Sequence, residues 1–353
     1  MSATFHALRV AAIDELTDDS VALTFEVPPS LAGDFVWLPG QHLNIRGGDD
    51  VRRSYSICTA PSTGRLRIGV KRLPGGAFSE GVVDRLRVGD ELEVMTPAGR
   101  FTVEVDPTAA RSYVAIAAGS GITPVLSIIG ALLEGEPGST VTLVYANRTH
   151  RSVMFLDDVH DLKDRFPARL QIVHVLSREA SEVELLSGRL DGDRLTAILA
   201  ALAPVDEVDQ WFLCGPQQML VELRATLADL GVPSAAVHAE LFHADPVPRA
   251  PVAALAGAVD GAAQVTIRLG GRSSSLSLRP DDVPVLDAAL RVRSDLPFAC
   301  KGGVCGTCRA RLVEGTVVMD TNYALEPDEL EAGYVLTCQS HPTSDEVVLD
   351  YDG

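Results

Sequence analysis

Four cysteines near the C-terminal end of the chain place the strongest constraint on what it can form. Residues 300–308 read CKGGVCGTC, and a further cysteine follows in VLTCQS. The spacing C-x4-C-x2-C with one distant cysteine is the plant-type pattern for a [2Fe–2S] cluster. A zinc ribbon normally presents two C-x2–4-C knuckles, so zinc and inert buried thiols are the weaker alternatives. The predicted metal ligands are Cys300, Cys305, Cys308 and Cys338.

The glycines of the same loop support the cluster. A loop that wraps closely around inorganic sulfide brings backbone N–H groups near it and needs a positive φ at several positions, and glycine satisfies both requirements. We therefore assign this role to Gly302, Gly303 and Gly306. The two remaining cysteines, Cys58 and Cys214, lie in apolar runs typical of core positions.

Composition limits the partners. The 353 residues carry 30 Lys and Arg against 48 Asp and Glu, a formal net charge of −18, which argues against nucleic acid and anionic membranes as partners. The charged N-terminus is not a signal peptide, and no apolar run is long enough to span a bilayer. Six cysteines are too few for a disulfide framework in a chain of this length, so we expect a reducing, cytoplasmic location.

The chain divides by pattern into three domains and a linker. Residues 1–107 alternate short β-type runs with turns, as in an antiparallel barrel or sandwich. Residues 108–245 alternate apolar strand-like runs with helix-like stretches, which predicts a parallel α/β sheet. Residues 246–262, rich in Pro, Ala and Gly, are predicted to be a linker. Residues 263–353 begin with AQVTIRLGGRSSSLSL, which predicts a hairpin before the cysteine loop.

Two neighbouring motifs in the first domain can bind a phosphate and an aromatic ring. RRSYSIC, residues 52–58, offers the guanidinium of Arg53 and the aromatic face of Tyr55. Taken alone, such a strand is more often ordinary barrel surface. GVKRLPGGAFSEG follows, where Gly75 and Gly76 allow close backbone approach. The stretch that begins at residues 78–79 can offer helix N–H groups to a pyrophosphate.

The second domain carries nucleotide-type turns. AAGSGITP places Gly119 and Gly121 after a strand and Thr123 at the start of a helix, but Pro124 stands where the ordinary dinucleotide fingerprint has its third glycine. Ser177 and Arg178, at the end of another strand, either bind a 2′-phosphate or form an exposed turn. Arg148 in YANRTH is a further candidate for the same phosphate.

Several stretches resemble known families. LPFACKGGVCGTCRARLVEG resembles plant-type ferredoxins, and MDTNYALEPDELEAGYVLTCQSHPTSDEV resembles the C-terminal domain of the reductase subunits of phenylacetyl-CoA epoxidase complexes. The upstream motifs resemble the ferredoxin–NADP reductase superfamily. The resemblance covers nearly the whole chain apart from the linker. It implies an FAD-binding antiparallel β-barrel, an α/β parallel sheet for the nicotinamide nucleotide, and an α+β ferredoxin of the β-grasp type.

The resemblance also implies roles for individual residues. Arg53 would contact the FAD pyrophosphate and Tyr55 would pack on the isoalloxazine, while Glu240 and Phe242 in HAELF would cap the flavin site. Without the resemblance, Glu240 would be a solvated strand end and Phe242 a core aromatic. The residues implied to bind FAD are Arg53, Ser54, Tyr55, Ser56, Val70, Lys71, Gly76, Phe78, Ser79, Glu240 and Phe242. Those implied at the nicotinamide nucleotide are Gly119, Gly121, Thr123, Ser177, Arg178, Cys214 and Gly215, and the catalytic positions are Ser56, Thr123 and Cys214.

The implied function is electron transfer from NADPH, with NADH as the alternative, through FAD and the cluster to an oxygenase. A nicotinamide releases two electrons as hydride whereas a [2Fe–2S] cluster accepts one, and a flavin converts between them. The acceptor implied is the di-iron epoxidase of phenylacetate degradation. Alternatives are a Rieske-type aromatic or steroid hydroxylase as acceptor, and a non-catalytic nucleotide-sensing ferredoxin fusion. Residues 320–353 carry nine carboxylates and no Lys or Arg, which suggests docking on a basic oxygenase surface, or simply a solvated face.

Overall fold

The N-terminal residues form an antiparallel sheet because apolar side chains on its strands alternate toward one core. The sheet has the order β4-β3-β6-β1-β2-β5. An isolated antiparallel bridge between Ile57 and Ile68 joins the ends of this order and closes the sheet into a barrel. The barrel core includes Leu23, Leu43 and Ile45, each fully buried. The elements are β1 (Phe5–Thr17), β2 (Ser20–Glu26), β3 (His42–Arg46), β4 (Arg52–Ser56), β5 (Arg67–Lys71), α1 (Ser79–Arg85) and β6 (Glu91–Met95).

The second sheet is parallel, and its strands are apolar on both faces because helices cover it. Its order is β11-β10-β7-β8-β9. The chain leaves β7 toward β8 on one side, and β10 lies on the other side of β7, so the order reverses there and a crevice opens at the carboxyl ends of β7 and β10. The elements are β7 (Ser112–Ala118), α2 (Ile122–Gly135), β8 (Thr140–Asn147), α3 (Leu156–Arg165), β9 (Leu170–Leu176), α4 (Gly192–Leu202), β10 (Gln210–Gly215), α5 (Gln217–Asp229) and β11 (Val237–Leu241).

The barrel and the parallel sheet share one hydrophobic core. Ala22, Cys58 and Phe101 from the barrel side pack in the same buried cluster as Tyr113 and Phe212 of the parallel sheet. Cys58 is 2% exposed, as expected for a core thiol. Residues 6–51 and 55–242 accordingly form one compact unit, which brings motifs of the first two domains together.

The C-terminal unit contains a third, mixed sheet of order β13-β12-β18-β14-β16. Gly270 and Gly271 both have positive φ, 60° and 68°, which is the backbone of a tight hairpin turn, and the predicted hairpin is confirmed. Helix α6 packs its buried residues into the core of this sheet. The elements are β12 (Ala263–Leu269), β13 (Arg272–Leu278), α6 (Val285–Ala289), β14 (Arg309–Glu314), β15 (Val317–Met319), α7 (Pro327–Glu331), β16 (Tyr334–Leu336), β17 (Ser340–Pro342) and β18 (Glu346–Asp350).

This computed structural model describes residues 4–47, 51–76, 78–242 and 261–353. The three predicted architectures, an antiparallel barrel, a parallel α/β sheet and an α+β ferredoxin domain, are confirmed. The predicted linker, residues 246–262, lies outside the described residues except for its last two. Within the described ranges, no helix combines the length and apolarity needed to cross a membrane.

Candidate functional site

The predicted flavin-binding strand presents an aromatic surface beside a tight loop. The ring of Tyr55, on β4, lies 5.6 Å from that of Phe78, with the planes inclined by 38°. Phe78 is only 8% exposed. A Cβ on Gly47 would lie 2.8 Å from the Phe78 ring, so the absence of a side chain at residue 47 admits this ring. Tyr55 stays half-buried and offers a flat face of the kind that an isoalloxazine ring requires.

The glycine loop before α1 is held by its own neighbours. The backbone N–H of Leu73 donates to Oγ of Ser79 at 3.1 Å, and that of Gly75 donates to Oε1 of Glu80 at 2.9 Å. A Cβ on Gly76 would lie 2.4 Å from the Ser79 hydroxyl, so only glycine fits there. The Ser79 side chain therefore shapes the loop. At the α1 N-cap, Phe78 contributes no side-chain hydrogen bond, and the N–H of Glu80 in the first turn donates to the Gly76 carbonyl at 3.3 Å.

Three other residues predicted to contact the flavin, Val70, Lys71 and Arg53, already have neighbours that limit how they can face a ligand. Val70, on β5, has a fully buried side chain, so only its backbone can face a ligand. The Nζ of Lys71 lies 3.5 Å from a carboxylate oxygen of Asp19. Arg53 is exposed and donates from Nη1 to the carbonyl of Arg52 at 2.8 Å. This contact uses one N–H of a guanidinium that has five such donors.

The glycine turn after β7 lies against the end of β10. Residues 119–121 form a 3-10 turn that leads into α2, and Gly119 has a φ of 54°. A Cβ on Gly121 would lie 2.2 Å from the carbonyl oxygen of Cys214, so any side chain there would displace the turn. The Tyr145 hydroxyl lies 3.0 Å from the Gly119 carbonyl. The turn is thus fixed at the crevice where ligands bind in open α/β sheets.

Thr123 connects this turn to the barrel. Its side chain is 2% exposed, and Oγ1 donates to the Ser120 carbonyl at 3.0 Å. Its Cγ2 lies 2.8 Å from the position that a Cβ on Gly69 would occupy. Gly69 belongs to β5, so Thr123 packs directly on the flavin-domain strand predicted to lie beside the cofactor.

Ser56 and Glu240 form the central polar contact of the site. The Ser56 hydroxyl donates to Oε2 of Glu240 at 3.3 Å, although the two residues are 184 positions apart. Glu240 on β11 pairs in register with Cys214 on β10. Ser56 is 4% exposed. Ser56, Cys214 and Glu240, which come from three separate motifs, therefore lie together.

Cys214 is a neutral thiol in this setting. Its side chain has no exposed surface, and burial, together with the nearby charge of Glu240, raises the pKa of the thiol well above its ordinary value. It is therefore suited to shaping a contact surface rather than to nucleophilic attack. Next to it, a Cβ on Gly215 would lie 2.5 Å from the Met219 side chain. Phe242, just beyond β11, is 37% exposed and is not the core aromatic that its chemistry alone suggests.

Two arginines meet at the carboxyl ends of β8 and β9. The N–H of Ser177 donates to the Asn147 carbonyl at 2.9 Å, and the N–H of Arg178 donates to the Arg148 carbonyl at 2.8 Å. Both guanidinium groups are exposed. Among the described ion pairs neither arginine takes part, so both are available to an anionic ligand.

The cysteine loop has the backbone that its glycines predict. Gly303 and Gly306 have φ values of 73° and 66°, whereas Gly302 does not need a positive φ. Lys301, a non-glycine residue, also has a φ of 53°, and its Nζ lies 2.7 Å from a carboxylate oxygen of Asp287. The N–H groups of Gly302 and Cys305 point at Sγ of Cys300, 3.3 and 3.4 Å away. The loop thus surrounds sulfur with donors, as a cluster site does.

The four thiols fall into two pairs. The Cys305 thiol donates to Cys300, and this hydrogen bond lowers the pKa of Cys300 to about 6. The Cys308 thiol likewise donates to Cys338 and lowers the pKa of that thiol. Within the described ranges, no three His, Cys, Asp or Glu side chains converge on a single metal ion. Two pairs of thiols match the predicted [2Fe–2S] cluster, in which each of the two irons takes two protein ligands.

Two residues lie at the site without having been predicted from the sequence. Gly69 admits Thr123 and Phe155 against the barrel, and Tyr145 anchors the glycine turn. A glycine inside a strand pattern is a signal of close approach, so GVKR could have revealed Gly69. Tyr145 carries no comparable signal, because its role depends on which strand lies under the turn.

Three family models match consecutive parts of the chain. Residues 7–103 match an oxidoreductase FAD-binding domain, residues 115–224 an oxidoreductase NAD-binding domain, and residues 267–343 a 2Fe-2S iron-sulfur cluster binding domain. The chain therefore uses FAD, a nicotinamide nucleotide and a [2Fe–2S] cluster, as predicted.

Relatives share this arrangement over their whole length. The chain is 44% identical to the E component of 1,2-phenylacetyl-CoA epoxidase from Escherichia coli K12, covering 99% of this chain and 98% of the relative. It is 36% identical to the ferredoxin reductase component of 3-ketosteroid-9-alpha-monooxygenase from Rhodococcus rhodochrous, covering 98% and 96%. The solved structure of phthalate dioxygenase reductase, 25% identical, superposes with a TM-score of 0.60 and 98% coverage of both chains. The chain thus belongs to the family of flavin-dependent, [2Fe–2S]-containing ferredoxin reductases that includes this epoxidase component and serves oxygenases in electron transfer.

Proposed function

We propose that this chain transfers electrons from NADPH to a di-iron oxygenase that epoxidises phenylacetyl-CoA. The observation that carries the proposal is the meeting of Ser56 and Glu240 at 3.3 Å, with Cys214 in register beside Glu240 and Gly121 packed on Cys214. Motifs from two domains thereby form one site in which a flavin and a nicotinamide can adjoin. Bound there, FAD supplies the conversion from two-electron to one-electron transfer.

The protein's own part is to bind and orient. On this proposal the Tyr55 face supports the flavin ring and the N–H groups at the start of α1 bind its pyrophosphate. Ser56 and Glu240 hold their hydrogen bond at the flavin edge. Thr123 and Cys214 fix how closely the nicotinamide can approach the flavin, and their buried side chains exclude water. We also propose that the FAD-binding domain ends at residue 107, the nucleotide-binding domain at residue 245 and the linker at residue 262.

The choice of NADPH rests on the two arginines at the strand ends. Arg148 and Arg178 are brought to neighbouring positions by a backbone hydrogen bond of 2.8 Å, and Ser177 adds a hydroxyl. A 2′-phosphate has the charge and the acceptor oxygens to bind two guanidinium groups. We expect R178A to raise KM for NADPH roughly tenfold, the loss of one charge-assisted hydrogen bond, and to leave KM for NADH unchanged. R224A, an exposed arginine on α5, is the control.

The exit for electrons on this proposal is the cluster bound by Cys300, Cys305, Cys308 and Cys338. The free thiols that such a site needs, none of them in a disulfide, are consistent with a reducing cytoplasm. Because the loop donors already face Cys300, the protein contributes preorganised hydrogen bonds that tune the potential of the bound group.

The acceptor can be tested by reconstitution. The purified chain, loaded with FAD and iron–sulfur, is mixed anaerobically with NADPH, and flavin bleaching is recorded. Oxygen and either a phenylacetyl-CoA epoxidase oxygenase component or a 3-ketosteroid-9-alpha-monooxygenase oxygenase component are then added, and product is measured. We expect product from phenylacetyl-CoA. Faster turnover with the steroid oxygenase would assign the chain to that second acceptor, which the relative of 36% identity supports.

A further inference from the structure

Gln339 is a buried amide at the point where the cysteine loop meets the last cluster ligand. It follows Cys338 directly, lies in the turn between β16 and β17, and is 8% exposed. Its Nε2 lies 3.0 Å from the carbonyl oxygen of Lys301, 2.9 Å from that of Cys338 and 3.4 Å from Sγ of Cys338. One side chain therefore reaches both the loop that begins at Cys300 and the sulfur of a residue 38 positions further on.

The orientation of this amide is fixed by its surroundings. Every group facing Nε2 is an acceptor, namely two carbonyl oxygens and a sulfur. On the other end, the Thr321 hydroxyl donates to Oε1 at 2.9 Å. A flipped amide would place its oxygen against all three acceptors, which is unfavourable in a buried site. The amide nitrogen therefore faces the ligand sulfur, and its two N–H donors are shared among this sulfur and the two carbonyl oxygens.

The same amide packs against the loop glycine. A Cβ on Gly303 would lie 3.0 Å from the Thr321 hydroxyl and 3.2 Å from Cγ of Gln339. Gly303 and Lys301 both have positive φ, a backbone that neighbouring contacts must hold in place for a lysine. Gln339 supplies such a contact by donating to the Lys301 carbonyl.

We propose that Gln339 is a positioning residue that sets the reduction potential of the [2Fe–2S] cluster, through its hydrogen bond to Sγ of Cys338 and its hold on the Lys301 carbonyl. The inference rests on the four-cysteine ligand set proposed above. Reduction adds negative charge to the cluster and its ligand sulfurs, and an N–H donor stabilises the reduced form more than the oxidised one. Removing the donor must therefore make the potential more negative.

The test is a redox titration of the loaded full-length chain, followed by the visible and EPR spectra of the cluster. Q339L removes both amide ends at similar volume, and we expect a more negative potential with iron and sulfide content retained. T321V removes the hydroxyl that orients the amide and should shift the potential in the same direction by less, whereas T321S should match the parent. Q264L, an exposed glutamine on β12 bonded to Ser277, is the matched control and should leave the potential unchanged.

The outcomes separate this inference from the function it rests on. A parent chain without iron and acid-labile sulfide after anaerobic reconstitution would overturn the cluster and this role together. A loaded Q339L with the parent potential would overturn the role of Gln339 alone. If Q339L does not retain the cluster, T321V decides: a potential equal to that of T321S overturns the proposal, and a more negative one supports it.

Discussion

The flavin and nucleotide site and the cluster loop are built in opposite ways. At the first, Ser56 and Glu240 meet across 184 residues, and the contact exists only because the barrel and the parallel sheet share a core. At the second, three of four ligands lie within nine residues, and positive φ at Gly303 and Gly306 shapes the loop locally. The first site therefore depends on packing between domains, and the second depends on the local backbone of one loop.

The cysteines of the two sites also differ in their chemistry. Cys214 is enclosed by apolar side chains, and burial raises the pKa of its thiol well above the ordinary value. Cys300 is also largely buried, yet hydrogen bonds from the Cys305 thiol and from loop N–H groups lower its pKa to about 6. Within each loop pair the thiol that donates, Cys305 or Cys308, has a raised pKa, and the thiol that accepts, Cys300 or Cys338, has a lowered one, so hydrogen bonds as well as burial decide which thiol loses its proton first.

The largest effect should come from removing a cluster ligand. In C308S we expect iron content to fall from about two per chain to near zero and electron transfer to the oxygenase to stop. Reduction of ferricyanide by NADPH, which needs only the flavin, should persist because Ser56, Thr123 and Glu240 belong to the other compact unit. C58A, which removes a buried thiol of the barrel, should retain its iron. Loss of ferricyanide reduction in C308S would show that the two sites are not independent.

The opposite test alters the nucleotide site, at Gly121, and leaves the cluster ligands in place. In G121V the new side chain must displace a backbone carbonyl that would lie 2.2 Å from its Cβ. Overpacking of this kind costs about 1–3 kcal/mol, so KM for NADPH should rise roughly tenfold to hundredfold, with iron content unchanged. G33A is the control, because a Cβ there meets no atom within 4 Å. An unchanged KM in folded G121V would remove this turn from the nucleotide site.

The same contrast explains what the sequence could predict. Three of the four predicted cluster ligands follow from local spacing, since CKGGVCGTC contains them in one loop, and the fourth, Cys338, is assigned from the plant-type pattern with one distant cysteine. The three sheets follow from the alternation of short β-type runs and from strand and helix runs in order. The meeting of Ser56 with Glu240 does not, because no local pattern specifies which strand ends adjoin, and only the resemblance to known reductases pointed to it.

Burial is the other property that the sequence could not supply. The nine carboxylates of residues 320–353 were interpreted as one acidic surface. Glu329 is 4% exposed and pairs with Arg309 at 2.6 Å, where it also completes the capping box of α7 with Glu326. It therefore stabilises the fold rather than contributing to that surface. Asp328 and Glu331 on the same helix are exposed.

A smaller effect is expected at the hydrogen bond that joins the two domains of the flavin unit. S56A removes the hydroxyl that donates to Glu240. The loss of this hydrogen bond costs about 1 kcal/mol, so kcat for flavin reduction by NADPH should fall roughly fivefold. The cluster potential should not change. S62A is a matched control, since the Ser62 hydroxyl also donates to a glutamate, Glu134, on an exposed face. Equal effects of S56A and S62A on kcat would show that the Ser56 contact only stabilises the fold and has no role in flavin reduction.

The smallest effect should be that of salt on delivery to the oxygenase. The exposed carboxylates Asp328 and Glu331 extend the negative charge of a chain at −18, and opposite charges on a partner accelerate encounter at low ionic strength. We expect the bimolecular rate of oxygenase reduction to fall about two- to fivefold when ionic strength rises from roughly 0.05 M to 0.5 M, as screening shortens the range of the attraction. The double variant D328N/E331Q should flatten this dependence, whereas D193N, an exposed carboxylate on α4 of the other unit, should not. Flavin reduction by NADPH in the double variant should keep the parent rate, because the substituted carboxylates belong to the cluster unit alone. A rate independent of salt in the parent chain would mean that the partner recognises this domain by shape and apolar contact instead.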